Sequence, residues 1–389
     1  EIWLLAYASS QIELVLDCGH IVRKGQQVAI NEIELELKHG APEHLFALAL
    51  QLLERLPLQL SNVSKAERGY ALCRQSGTQA VHARPVVLEA GATLAHARRA
   101  ILHNCLEQVQ ANQLAVIHTD DPEALHQMRV GVRRLRSALK LFEPVAPCPA
   151  SMHNDWRWLA QVLGAARDWE VLGSATLARI QASPGGPGAL HDLPALVQAQ
   201  VQVHRQQAAL ALQSPQYTRL QLEIARWLLQ GAAHSGAADG AADNDGDGDG
   251  HGDDDSMAVT AYTYAQKTLH GLHKKLLRRA RKMHDNDPAS LHSTRIAAKR
   301  ARYALEFFRS LYRGKALRQY LATLATTQET LGQHNDLVVA ERLLHQLAQV
   351  HPQAAEHIAF ARGYLQALQA TQRTDLTGVR SSLRALPRF

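Results

Sequence analysis

Between residues 126 and 140 a basic or imidazole side chain recurs every three or four positions: His126, Arg129, Arg133, Arg136 and Lys140. Wound as an α-helix at about 100° per residue, the five fall within about 80° of arc. Met128, Val132, Leu135, Leu139 and Phe142 fall on another side, which reads as a core face, and Arg134 sits to the side of the stripe. Ordinary solvated helix faces mix both signs. A one-signed stripe repels itself by a few tenths of a kcal/mol per like pair at these spacings, so it calls for an anion from elsewhere. Arg offers a planar fork to phosphate oxygens and Lys a mobile point charge. His126 donates when neutral and adds charge below about pH 6.5.

The pattern occurs twice. Residues 118–142, HTDDPEALHQMRVGVRRLRSALKLF, return at 284–308 as HDNDPASLHSTRIAAKRARYALEFF, an offset of 166. His292, Arg295, Lys299 and Arg302 repeat the stripe, Arg300 repeats Arg134, and Glu306 replaces Lys140. A second match, LGAARDWEVL at 163–172 and LGQHNDLVVA at 331–340, aligns Asp168 with Asp336 and Arg167 with Asn335. One helical unit of about 120–140 residues is therefore present in two copies. Each repeated helix opens with a capping Asp (Asp121, Asp287) and a Pro at its first turn (Pro122, Pro288). In the second copy, Lys267, Lys274, Arg278 and Arg281 form a further basic row on the preceding helix. The corresponding residues of the first copy, Ile101, Gln108, Asn112 and Ala115, are not basic. Asp168 and Asp336 read either as partners that orient the stripe or as structural ion pairs. His118 and His284 read as turn residues, and Trp156, Trp158 and Trp169 as packing.

HQMRVGVRRLRSALKLF and HSTRIAAKRARYALEFF, each followed by an LGxxxD segment, resemble the CHAD family over about residues 92–375. The resemblance implies a mainly α fold: two pseudo-symmetric antiparallel helical bundles lining a basic groove or pore that binds inorganic polyphosphate, with association with polyphosphate granules. Carried over by motif, the binding residues are His126, Arg129, Arg133, Arg134, Arg136, Lys140 and Arg167, with His292, Arg295, Lys299, Arg300 and Arg302 in the second copy. The row Lys267, Lys274, Arg278 and Arg281 is added on charge alone. Tyr303 is the sole aromatic among these basic positions, which disfavours nucleic acid as a partner.

The rest of the chain must position these helices. Its 389 residues suit two or three domains. The net charge is +6, and rises to +14 once the eight Asp of residues 231–256 are set aside. No apolar run is long enough for a membrane span, and no secretory leader opens the chain. Cys18, Cys73, Cys105 and Cys148 form no Cys-x-x-Cys pair and read as free thiols. These features suit a cytoplasmic protein with no cofactor, no metal and no catalytic residue. Opening on Glu1 rather than Met, the chain reads as a fragment or a truncated reading frame.

Alternation at 11–17 and 28–38 predicts two strands, and Pro42 opens a helix. Residues 11–73 resemble the second half of a CYTH domain, a family that includes triphosphate tunnel enzymes holding triphosphate and a divalent metal. Glu34, Glu36 and Lys38 spell that family's Glu-x-Glu-x-Lys, but the early strands are missing and three or four strands cannot close a tunnel. The expected layout is a partial α+β segment at 1–75, a linker at 76–91, helical copies at 92–230 and 257–375, a disordered Gly/Asp-rich insert at 231–256, and a tail at 376–389. Asp243, Asp245, Asp247 and Asp254 resemble a calcium loop but read as flexible linker, which would compete with ligand for the basic face. The resulting expectation is a non-enzymatic polyphosphate-binding module that targets or scaffolds at granules. The rivals are a metal-dependent triphosphate hydrolase and nonspecific nucleic-acid binding.

Overall fold

A computed structural model describes residues 1–74, 79–183, 188, 190–239, 259–284, 287–372 and 376–387. An antiparallel sheet opens the chain, with β1 (Ile2–Tyr7), β2 (Ser10–Arg23) and β3 (Gln26–His39) in sequence order. The hairpin between β2 and β3 turns on Lys24 (φ 43°) and Gly25 (φ 82°). Two successive positive φ values match the sheet's right-handed twist. Its register sets Asp17 opposite Glu32 and Glu13 opposite Glu36, which gathers the charged residues on one face and Ile33, Leu35 and Leu37 on the other. Strand β1 has no counterpart in the sequence reading, because Ile-Trp-Leu-Leu shows no alternation.

Two helices flank this sheet, α1 (Pro42–Leu53) and α2 (Lys65–Arg74). Lys65 of α2 ion-pairs with Asp17, with Glu32 at 3.2 Å and with Glu34 at 2.9 Å, and Arg68 pairs with Glu32. Lys38 joins Glu13 and Glu36 at 3.0 Å each. The carboxylates of the Glu-x-Glu-x-Lys motif are thus held by this chain's own lysines on an open sheet.

The helices that follow are α3 (Leu94–Ala111), α4 (Gln113–His118), α5 (Pro122–Phe142), α6 (Ala150–Val171), α7 (Leu177–Gln181), α8 (Leu193–Leu212) and α9 (Pro215–Asp239). The second copy supplies α10 (Ala261–Arg281), α11 (Pro288–Phe307), α12 (Lys315–Val350), α13 (Ala355–Gln372) and α14 (Leu376–Arg384). Within each copy the basic helix lies between the helix before it and the helix after it: α3, α5 and α6, then α10, α11 and α12. Equivalent helices of the two copies also touch, α5 on α11, α6 on α12 and α3 on α10. The core reflects this. One cluster centred on the first copy takes in Ala261, Ala265, Tyr303, Phe307 and Phe308 of the second. Another is shared by the far ends, where Leu172, Leu177 and Val197 meet Leu337, Leu344 and Ile358.

Three boundaries differ from expectation. Of the expected linker, residues 79–90 are bound to the helices. Val86 and Leu88 are buried, Asn112 exchanges hydrogen bonds with the Val81 backbone at 2.9 and 2.8 Å, and Asn104 donates to Arg84 O at 3.0 Å. The expected tail forms α14, whose Leu376, Val379 and Leu383 are buried in the second bundle against α10 and α12. Helix α9 runs to Asp239 and so takes in the first nine residues of the expected disordered insert. Residues 240–256, with the Asp243–Asp254 loop, lie outside the described residues. The N-terminal segment also packs on the helices, where Leu50 and Leu53 of α1 meet Leu222 of α9.

Candidate anion-binding site

Helices α5 and α11 begin alike. The Asp121 carboxylate accepts the Glu123 N–H at 2.9 Å and that of Asp287 accepts the Ala289 N–H at 3.0 Å, with Pro next in each case. These caps satisfy donors that the first turn leaves free. The apolar face then fixes each helix's rotation. Met128, Val132, Leu135, Leu139 and Phe142 are all at most 1 % exposed. A close approach holds α5 against α3: a Cβ on Gly131 would lie 2.9 Å from Val109 Cγ2 and 3.1 Å from Val109 N.

With the rotations set, the two stripes meet at the seam where α5 packs on α11. Arg133 donates to the Tyr303 hydroxyl, and its guanidinium carbon lies 5.6 Å from that ring's centroid. Arg129 reaches Asp168 of α6 at 3.7 Å, and Arg342 of α12 reaches the same carboxylate at 3.9 Å. Arg295 has a buried Nε with no partner among the described residues. Lys299 is pushed down to about 6, first by burial and then by Arg133, Arg295 and Arg129; Asp336 opposes the shift. Burial is also the main force against the charged forms of Arg129 and Arg295, yet a guanidinium does not give up its proton in a protein. His126 is lowered by burial and by Arg167. The Asp168 carboxyl is raised by burial, against the pull of Arg129 and Arg342.

The charge continues towards the C-terminal end of α5. Arg136 is lowered by burial, then by Arg157 of α6 and Arg300 of α11. Lys275 of α10 is lowered by burial, then by Arg300, Arg279 and Lys140. Among the described residues no ion pair joins a carboxylate to Arg133, Arg136, Lys140, Arg295, Lys299 or Arg300.

Other expected residues do not join this group. Arg134 is buried and donates to Gln108 Oε1 and Asn104 Oδ1, both at 2.7 Å, with Phe307 beneath it. Arg302 is paired with Glu306 at 2.7 Å. Arg167 is paired with Glu170 at 3.1 Å, although its field reaches His126. His292 is exposed. Lys267, Lys274, Arg278 and Arg281 are exposed on the side of α10 opposite its buried residues Ala265, Leu269 and Leu276. That row faces away from the seam because the core claims the other side of the helix, although Arg278 still adds to the field at Lys275. Sequence reasoning missed Lys275, Arg157 and Arg342. Lys275 adjoins the row that was read, but lies at the edge of the core face. Arg157 and Arg342 have no basic counterpart in the other copy to mark them.

Comparison with known proteins decides the family. The CHAD domain profile matches residues 100–345. The chain belongs to the CHAD domain family. The crystal structure of the CHAD domain from the plant Ricinus communis is similar at 51% identity and a TM-score of 0.71, over 80% of this chain and 99% of that one. An inorganic triphosphatase of Haemophilus influenzae is 39% identical over 70 residues, which are 18% of this chain and 20% of that protein. The chain thus spans a fifth of the length of that curated relative. PptA from Streptomyces chartreusis matches at 17% identity and a TM-score of 0.45. No helix among the described residues of this CHAD protein is long and apolar enough to cross a membrane.

Proposed function

We propose that this CHAD protein binds inorganic polyphosphate along the seam between α5 and α11, without hydrolysing it, and so targets or scaffolds at polyphosphate granules. The observation that carries this reading is the convergence of Arg129, Arg133, Arg295 and Lys299 from two repeats, with Asp168 and Asp336 as the opposing carboxylates among the described residues. Such a cluster is short of negative charge, and the unpartnered Nε of Arg295 is short of an acceptor. A string of phosphates supplies both at each step. Arg136, Lys140, Arg157, Lys275 and Arg300 extend the cationic track for a longer chain. The seam suits phosphate better than bases, since Tyr303 is 5% exposed and already engaged by Arg133. That ring is therefore not open for stacking.

The competing hydrolase reading would use the N-terminal sheet. There Asp17, Glu32 and Glu34 lie close enough to share a metal ion, but Lys65 already occupies their midst. The deciding experiment titrates the chain with polyphosphates of increasing length, against duplex DNA, over a salt series. Long chains should win, and log K should fall with log salt with a slope of about −4 for five or six contacts at ~0.7–0.9 each. Preferential binding of DNA at physiological salt, or triphosphate turnover lost in Glu34→Gln, would overturn the proposal.

A further inference from the structure

Lys299 is half-buried on α11, one turn from Arg295 and across the seam from Arg129 and Arg133 of α5. Among the described residues it has no ion-pair partner, and Asp336 of α12 is the carboxylate in its field. The other charged groups of the seam are accounted for. Asp168 of α6 is shared by Arg129 and Arg342. Tyr303 accepts from Arg133. His126 of α5 stands in the field of Arg167, Arg133 and Arg129, and Lys275 of α10 in that of Arg300 and Lys140. Where three guanidinium groups and one amine are crowded together, the amine is the group that can yield a proton. An arriving polyanion reverses that balance.

We propose that occupation of the seam by a polyanion loads a proton onto Lys299, so that polyphosphate binding and hydrogen-ion uptake are one linked step. This rests on the polyphosphate reading above. In the free protein, burial and the three arginines hold the Lys299 ammonium down to about 6. Near pH 7.5 the empty seam therefore carries a neutral amine. In the bound state phosphate oxygens favour the ammonium, so the lysine's protonation constant rises. The linkage sign follows: affinity is fully developed below the free-site value and falls as pH rises above it. One proton per site gives about a tenfold loss per pH unit, until the bound-state value is reached.

The test is calorimetric titration of the full chain with long-chain polyphosphate, whose interior groups are ionised throughout, in two buffers of different ionisation enthalpy at pH 7.5. Lys299→Arg, which is permanently charged, and Lys299→Met, which is permanently neutral, are run beside it, with helicity checked for each. Wild type should take up close to one proton more per site than either variant. Its affinity should fall by about tenfold more per pH unit between pH 7 and 8.5. The same difference should survive in a His126→Gln background, because the imidazole is a separate titrating group. Equal proton uptake by wild type and Lys299→Arg would overturn the linkage while leaving binding intact. Absence of polyphosphate binding in wild type would remove both the linkage and the reading beneath it.

Discussion

Arg134→Leu separates holding the fold from holding the ligand. Arg134 follows the stripe residue Arg133 and is itself basic, yet both of its terminal nitrogens donate inward, to Gln108 and Asn104 at 2.7 Å each. Hydrogen bonds to a charged group are worth ~1.5–3 kcal/mol each, and an acceptor left buried without a donor costs ~1–3 kcal/mol. Gln108 is 3% and Asn104 9% exposed, so water does not readily replace the lost donors. Relief from burying the guanidinium offsets part of this, and Leu recovers some contact with Phe307. The net loss should be about 3 kcal/mol. At ~2–4 °C per kcal/mol for a domain of this order, the Tm should fall by about 6–12 °C. Thermal melts by circular dichroism read the first effect, and polyphosphate titration well below the Tm reads the second. Affinity of the folded variant should stay within about twofold of wild type. An unchanged Tm with a tenfold loss of affinity would show that Arg134 belongs to the ligand.

Two further substitutions probe the packing and the asymmetry between the copies. Gly131→Ala should lower the Tm despite a gain of ~1 kcal/mol in helix propensity. The new Cβ would meet Val109 Cγ2 at 2.9 Å and the Val109 backbone nitrogen at 3.1 Å, and overpacking costs ~1–3 kcal/mol; a rise in Tm would show that α3 yields. Glu306→Lys restores the residue of the first copy and releases Arg302 from its 2.7 Å pair. It should tighten polyphosphate binding several-fold and steepen the salt slope by about 1, and weaker binding would place Arg302 outside the ligand path.

Much of the basic site was legible because a stripe and its core face are two readings of one helical period. Once Asp121 and Pro122 fixed the start of α5, the positions of Arg129 and Arg133 followed, and the repeat carried the same assignment to Arg295 and Lys299. The same arithmetic failed on α10. Periodicity groups Lys267, Lys274, Arg278 and Arg281 correctly on one face, but which face meets a neighbour is decided by Ala265, Leu269 and Leu276. Spacing also cannot show that Arg134 is consumed by Gln108 and Asn104, because those partners lie 26 and 30 residues away. The strap at 79–90 was hidden for a related reason. A non-periodic stretch interrupted by Pro85 reads as linker until its backbone is seen to bond to Asn104 and Asn112.

The most direct measurement compares two double charge reversals of equal net charge for polyphosphate affinity at fixed salt, with helicity confirmed. One is Arg129→Glu with Arg295→Glu at the seam; the other is Arg278→Glu with Arg281→Glu on the outer side of α10. The seam pair should lose at least about a hundredfold, as two charge-assisted contacts at ~1.5–3 kcal/mol each imply, while the outer pair loses only a few-fold through the general field. Equal losses from the two pairs would contradict a ligand seated between the repeated helices.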